Sequence, residues 1–213
     1  MAVVRTGRLH HPRIFLVDST KKSSHLLVDK TASEPRWSPD GEMVACVAWE
    51  SQAEPWVLTI VERRTGRVRQ PLRSFNVMGF KWSPDGHWIA AAGAMQKRPR
   101  GILALVSVAA NSSHVVDTLR VLADYEISWS PDSRAIALGR PTAIDADEEV
   151  IASDLWLLDT AGRRCPLIVD PEFVESAPRW LDAHRLRYTR FRKADPQRNP
   201  NDVVVELEGS SKR

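Results

Sequence analysis

An all-β repeat fold is predicted by three features of the sequence. First, the segment RWSPDGEMVACVA from Arg36 returns as KWSPDGHWIAAAG from Lys81, as SWSPDSRAIALGR from Ser128 and, more loosely, as RWLDAHRLRYT from Arg179. Its tryptophans, Trp37, Trp82, Trp129 and Trp180, are spaced by 45, 47 and 51 residues, a period that belongs to repeat architectures. Second, each unit runs into an apolar stretch without polar alternation (43–49, 88–92, 135–138), which suits strands covered on both faces. Third, two further strand-like segments precede the next tryptophan. Four short antiparallel strands per repeat with punctuated turns make the blade of a β-propeller. The expected architecture is about four four-stranded blades, in an incomplete or open ring.

Each unit carries its own turn. In Ser38-Pro39-Asp40-Gly41 the proline presets φ at the second turn position, Asp suits the third, and Gly accepts the left-handed conformation that closes a bulged hairpin. Ser83-Pro84-Asp85-Gly86 repeats it, whereas Ser130-Pro131-Asp132-Ser133 places Ser where Gly is wanted, at local strain. The fourth unit keeps Asp182 but has no proline before it. Past the turns, Val44, Ile89, Ile136 and Leu186 share one register, and Ala45, Ala90 and Ala137 the next. A large residue beside a small one lets neighbouring sheets interdigitate. Arg187 stands where the others have Ala, so this blade is expected to be terminal or imperfectly covered.

In chain order, 1–12 reads as a leader with a short strand at 2–5, 13–207 as the propeller, and 208–213 as a polar tail. Strands are expected at 13–18 and 25–28, then in pairs at 56–62 and 68–72, 102–108 and 114–119, and 154–159 and 165–169, with a last one at 202–207. The final blade could be built from 179–191, 203–207 and the N-terminal segment. If 13–28 stays separate, the count is four blades and a partial fifth.

Composition bounds the function. With 213 residues, 43% hydrophobic and 27% charged, the chain is sized for one globular domain with a real core. The basic N-terminus lacks the apolar segment of a secretory signal and no run approaches a membrane span, so a cytoplasmic location is expected. The net charge of +3 does not demand nucleic acid or acidic membrane, and nucleic acid is not an expected partner. Cys46 and Cys165 are expected as free thiols rather than a disulfide framework.

The W-S-P-D-G units resemble the TolB-type, WD40-like β-propeller repeat family, which also supplies the propellers of prolyl oligopeptidase and dipeptidyl-peptidase enzymes. The resemblance runs from Arg13 to about Phe191 and implies a fold far more sharply than an activity. The expected function is a non-catalytic binding scaffold that engages a protein partner through the face carrying the loops between the second and third strands of each blade. A second reading is a detached propeller of such a serine peptidase, but the sequence holds no G-x-S-x-G nucleophile elbow, which speaks against an enzyme. A third is a metal-dependent carbohydrate-active propeller. No cofactor and no metal site are expected, and an open ring would leave room for a homodimer.

Two candidate binding surfaces follow. Arg36, Lys81 and Arg179 immediately precede their tryptophans, with Ser128 in the equivalent place, and Glu34 and Glu126 lie two residues earlier. If that register faces the axis, a basic ring would attract an anionic ligand or acidic peptide. The second surface is the face carrying the loops between second and third strands, at 50–55, 95–100, 140–153 and 192–201. It holds Lys97, Arg98 and Arg100 on one loop and Asp145, Asp147, Glu148 and Glu149 on another, the latter read as a solvated insertion. The tryptophans and the turn residues Asp40, Asp85, Asp132, Asp182, Gly41 and Gly86 are read as structural anchors, and no catalytic residue is assigned.

Overall fold

The computed structural model describes residues 2–6, 12–18, 22–49, 55–73, 75–95, 101–119, 126–146, 150–194, 197 and 199–207, with backbone alone at 2–6, 12, 18, 31, 33, 34, 75, 95, 119 and 144. Its strands form five antiparallel sheets, and the described residues contain no helix. The first sheet is β1 (Ala2–Thr6), β2 (Pro12–Asp18) and β3 (Ser23–Val28). Three four-stranded sheets follow in simple meander order: β4 (Thr31–Trp37) to β5 (Met43–Trp49), β6 (Val57–Glu62) and β7 (Val68–Leu72); β8 (Phe75–Trp82) to β9 (Trp88–Met95), β10 (Gly101–Ser107) and β11 (Ser112–Leu119); and β12 (Ile127–Trp129) to β13 (Ala135–Ile144), β14 (Val150–Asp159) and β15 (Arg164–Ile168). The last sheet holds β16 (Phe173–Trp180), β17 (Arg185–Arg192) and β18 (Asn201–Glu206).

In each of the last four sheets the first strand ends on a repeat tryptophan. Among the described residues, the first sheet holds no such strand and supplies the equivalents of the second to fourth, and the last sheet holds the first three. No strand of the first sheet pairs with one of the last among the described residues, so the blades form an open arc. Of the two assemblies the sequence allowed, the separate N-terminal sheet is the one observed. Its first strand, β1, lies inside the segment read as a leader, because Ala2–Thr6 pairs with β2 over its whole length. Residues 208–213 lie outside the described set.

One loop is shorter than expected. Residues 140–144 and 150–153 extend the β13–β14 hairpin, since their alternating Thr, Ile, Val and Ala suit a pleated surface. Pro141 is accommodated by register shifts between Pro141, Ala143 and Ile144, the setting in which a strand tolerates a missing N–H.

The three Ser-Pro-Asp turns are built alike. Ser38 N donates to Met43 O at 2.9 Å and Gly41 N to Ser38 O at 2.9 Å, while Met43 N donates to Ser38 Oγ and Glu42 N to Asp40 Oδ1. The same bonds recur at Ser83 and Asp85 and at Ser130 and Asp132. Gly41 and Gly86 take φ of 71° and 74°, and Ser133 is held at 62°, the strain foreseen for a residue with a Cβ. Its hydroxyl compensates by accepting from Asp85 N at 3.0 Å, which ties one blade's turn to the next. Asp182 caps the fourth turn by accepting from His184 N and Arg185 N.

Packing between blades follows the large-and-small register. Ala45 sits in one buried cluster with Ile89, and Ala90 in the next with Ile136, so at these two boundaries the small residue of one blade and the large residue of its successor share a core. The register is fully covered: Val44, Ile89, Ile136 and Leu186 are buried, and so are Ala45, Ala90 and Ala137. Cys46 is buried between the first two sheets, where desolvation raises its thiol pKa to about 12, while Cys165 is exposed and both are free. Arg187, in the Ala register of the last sheet, is exposed and lies 3.6 Å from Asp202.

Candidate functional site

The repeat tryptophans do more than fill core. Only Trp129 is buried; Trp37, Trp82 and Trp180 are half-buried. Each indole N–H of the later three reaches back to the preceding blade: Trp82 Nε1 donates to Arg36 O (3.2 Å), Trp129 Nε1 to Lys81 O (3.2 Å) and Trp180 Nε1 to Ser128 O (3.1 Å). Arg36, Lys81 and Ser128, each just before a repeat tryptophan, are therefore held through their backbone carbonyls. Trp37 follows a sheet with no innermost strand and makes no such bond among the described residues.

That arrangement places Arg36, Lys81, Ser128 and Arg179 in series along the innermost strands. A cavity of about 450 Å³ opens between β8, β12 and β16, lined by Lys81, Glu126, Ser128, Pro178, Arg179 and Trp180 together with Ile127 and Ala177. Lys81 Nζ donates to the Ile127 carbonyl. Burial, then the nearby guanidinium groups of Arg179 and Arg36, push the Lys81 pKa below the ordinary lysine value, and Glu126 only partly opposes them. Of the three cations singled out in the sequence, Lys81 and Arg179 line the cavity, and Arg36 is not among its lining residues. Arg36 also lies over the Phe80 ring, its guanidinium carbon 5.9 Å from the centroid.

Glu126 does not neutralise this cluster by a direct ion pair with Arg179. Its carboxylate accepts from Ala177 N across the blade boundary. Ala177 has φ of 49°, a left-handed conformation that costs on the order of 1–3 kcal/mol for a residue with a Cβ. It sits in the irregularity between Ser176 and Arg179, and Trp180 N then donates to Ser128 Oγ at 3.2 Å. This strained corner turns Arg179 toward the cavity. Sequence reading did not single out Ala177; the available signal was the Pro-Arg-Trp triplet shared by 35–37 and 178–180.

Beside the cavity, β16 buries Glu175 with neither carboxylate oxygen hydrogen-bonded. Desolvation, and then the carboxylates of Asp170 and Asp154, raise its pKa to about 7 against the pull of Lys193 and Arg190. Asp117 is buried too but well satisfied: Arg140 Nε meets it at 2.9 Å and Arg164 Nη1 at 2.5 Å, clamping β11 to the next blade.

On the loop face, Asp145 follows the end of β13 and is half-buried. Lys97, Arg98, Arg100, Asp147, Glu148 and Glu149 lie outside the described residues, as does the side chain of Glu34. At the foot of the first loop, Trp49 and Trp56 pack with centroids 5.6 Å apart, and Trp56 is exposed. No group of three metal-ligating side chains occurs among the described residues.

No family model and no curated protein sequence matches the chain. Solved structures do. TolB from Acinetobacter baumannii superposes with a TM-score of 0.59 at 13% identity, over 97% of this chain and 50% of that one. The β-propeller domain of the Trilobed protease from Pyrococcus furiosus, described as having an open velcro topology, gives 0.70 at 12% identity, over 99% and 64%. The chain has the fold of a TolB-type β-propeller. A further likeness is oligogalacturonate lyase from Vibrio parahaemolyticus, with a TM-score of 0.64 at 14% identity, over 96% of this propeller and 57% of the lyase. The chain thus spans less than two-thirds of each of these structures. At such identities the likeness concerns the fold alone.

Proposed function

We propose that this propeller is a non-catalytic binding module that presents a protein partner with a basic axial site. The observation that carries the reading is the cavity lined by Lys81 and Arg179, wide enough for a side chain or chain terminus, with Arg36 near enough to act on Lys81 and with the carbonyls of Arg36 and Lys81 held by tryptophan indoles. Clustered cations with part of their hydration removed favour an anion, because a carboxylate recovers both Coulomb energy and hydrogen bonds. Arg179, exposed and free of any ion pair among the described residues, would make the first contact. A partner segment bearing Asp, Glu or a terminal carboxylate fits this chemistry. A cytoplasmic setting remains part of the proposal.

The test is fluorescence anisotropy with a labelled acidic pentapeptide of alternating Glu and Asp. Binding should weaken with added salt and drop about tenfold or more in the combined Arg36→Gln, Lys81→Gln, Arg179→Gln variant. Because the Lys81 pKa is lowered, binding should also fall with rising pH before the ordinary lysine range is reached. Unchanged affinity in the folded triple variant would remove the axial site from consideration.

A further inference from the structure

Glu175 of β16 and Arg190 of β17 are opposite each other and oppositely charged, yet they do not pair. They are Cα partners in the antiparallel ladder, a register that sets two Cβ atoms about 4.5–5.5 Å apart. The Glu175 carboxylate is nevertheless buried with no hydrogen-bond partner on either oxygen. The Arg190 guanidinium lies instead over the Phe173 ring, its central carbon 4.1 Å from the centroid. Phe173 and Glu175 are two residues apart on β16 and share one face of the strand. Arg190 thus has an aromatic partner and an anionic one side by side, and occupies the aromatic one.

The charged groups on the surrounding elements are committed elsewhere. On β17, Tyr188 is buried on the same face as Arg190; burial raises its pKa, Arg190 opposes the rise and Glu175 adds to it, so the three side chains form one cluster. Arg192, the ladder partner of Phe173, has its guanidinium carbon 5.4 Å from the same ring centroid and lies 3.9 Å from Glu172. Lys193 Nζ donates to Pro171 O at 3.0 Å. The turn before β16 contributes Asp170 and β14 contributes Asp154, both anionic and both acting against an ionised Glu175. On β13, Arg140 is bound to Asp117, and ahead of β12 Glu126 is bound to Ala177 N. Arg190 alone of these cations stands opposite Glu175, and it makes no ion pair among the described residues. An ionised Glu175 in the observed arrangement has neither water nor partner, so that arrangement suits the protonated acid.

We propose that Glu175, Arg190 and Phe173 form a proton-operated switch in the sheet of β16 and β17. With Glu175 protonated, Arg190 rests on Phe173 as observed; when Glu175 releases its proton to solvent, the guanidinium leaves the ring and closes an ion pair with the carboxylate. Arg192 stays against the ring, so the aromatic face is not left bare. Pairing costs Arg190 its ring contact and therefore offsets only part of the cost of the buried charge. Burial, then Asp170 and Asp154, push the Glu175 pKa up to about 7, which sets the working range of the switch near neutral pH. β16 also carries the strained Ala177 and Arg179, so the switch sits on a strand that lines the axial cavity, but it does not require that cavity to bind anything.

The test is an NMR titration of the whole chain from about pH 4 to pH 9, a range that brackets ordinary and raised carboxyl values. It follows the Glu175 side-chain carboxyl carbon and the Arg190 δ-methylene and Nε–H resonances, which the Phe173 ring current displaces upfield in the observed arrangement. The Arg190 signals should lose that displacement with the same midpoint as Glu175, above the ordinary glutamate value. In Glu175→Gln they should stay displaced at every pH. Phe173→Leu removes the competing ring and should lower the Glu175 midpoint, whereas Arg190→Gln removes the partner and should raise it. Glu175 titrating at the ordinary glutamate value would overturn the proposal. So would Arg190 signals that hold still while Glu175 titrates or that move equally in E175Q, or a Glu175 midpoint indifferent to both F173L and R190Q. The wild-type and E175Q titrations decide the question even where F173L fails to fold. A Glu175 with a purely structural role would alter melting without tying the Arg190 signals to its titration.

Discussion

The interior blades and the two end sheets are made from one repeat, yet they hold together by different means. Between interior blades the contact is apolar and interlocked: Ala45 against Ile89, Ala90 against Ile136, with an indole N–H stapled to the preceding carbonyl at each boundary. At the boundary with the last sheet the staple persists through Trp180, but the packing includes the orphaned carboxylate of Glu175 and the strained Ala177 held by Glu126. The outward face beyond it carries Arg185, Arg187, Thr189 and Asp202 in place of an apolar register. A charge between stacked blades has to be paired, as Asp117 is with Arg140 and Arg164, whereas a charge on the outward face is solvated.

The largest effect should come from exchanging the two situations. Ala90→Arg puts the residue of the end sheet into an interior blade, where Ala90 is 0% exposed; loss of soluble folded protein is the expected outcome in expression and circular dichroism. A cooperative melt near that of the wild type would mean that the interior blades are not stacked as described.

Next in size are the tryptophans. Trp129→Ala should cost about 3–5 kcal/mol in urea unfolding, as a buried aromatic truncation does. Trp37→Ala should cost less by about 1 kcal/mol or more, since Trp37 is half-buried and lacks the indole bond. Equal losses would remove the staple from the account.

Glu175 gives the end boundary a pH signature. Its pKa rises from the ordinary 4.5 to about 7 on folding, so the folded chain binds a proton that the unfolded chain does not in that interval. Wild-type stability should therefore decline as pH rises through that window, with the loss complete above it, by at most about 3 kcal/mol. Glu175→Gln should flatten this dependence and melt higher than the wild type at pH 8 but not at pH 4. Parallel pH profiles for the two proteins would show that the carboxylate finds a partner.

The smallest effect is expected at the surface. Arg187→Ala should change stability by less than about 0.5 kcal/mol, because its pairing with Asp202 is exposed on both sides. A substantial loss would indicate that this face is covered in solution.

Much of the fold was legible because its signals are local. A proline, an aspartate and a residue able to adopt positive φ make the same turn wherever they occur, and Val68–Leu72 is the strand expected from its residues alone. The departure of Arg187 from the Ala register likewise marked a blade that is terminal or imperfectly covered, and Arg187 is exposed. Repeats place equivalent residues equivalently, and of the basic residues before the tryptophans Lys81 and Arg179 line one cavity. What stayed hidden depends on residues far apart in sequence. Asp117 meets Arg140 and Arg164, and Glu126 meets Ala177, only after the blades have stacked.

The sequence by itself determined an all-β repeat, its turns, its large-and-small register and the position of its charged departures, because each is a property of a few adjacent residues and their backbone preferences. Only the tertiary structure decided that the N-terminal strands form a sheet of their own and that, among the described residues, no strand of the first sheet pairs with one of the last. Those outcomes depend on which of several similar strand edges meet, and strands of one repeat family carry nearly the same pattern, so the choice rests on how the whole set of blades packs rather than on any one of them.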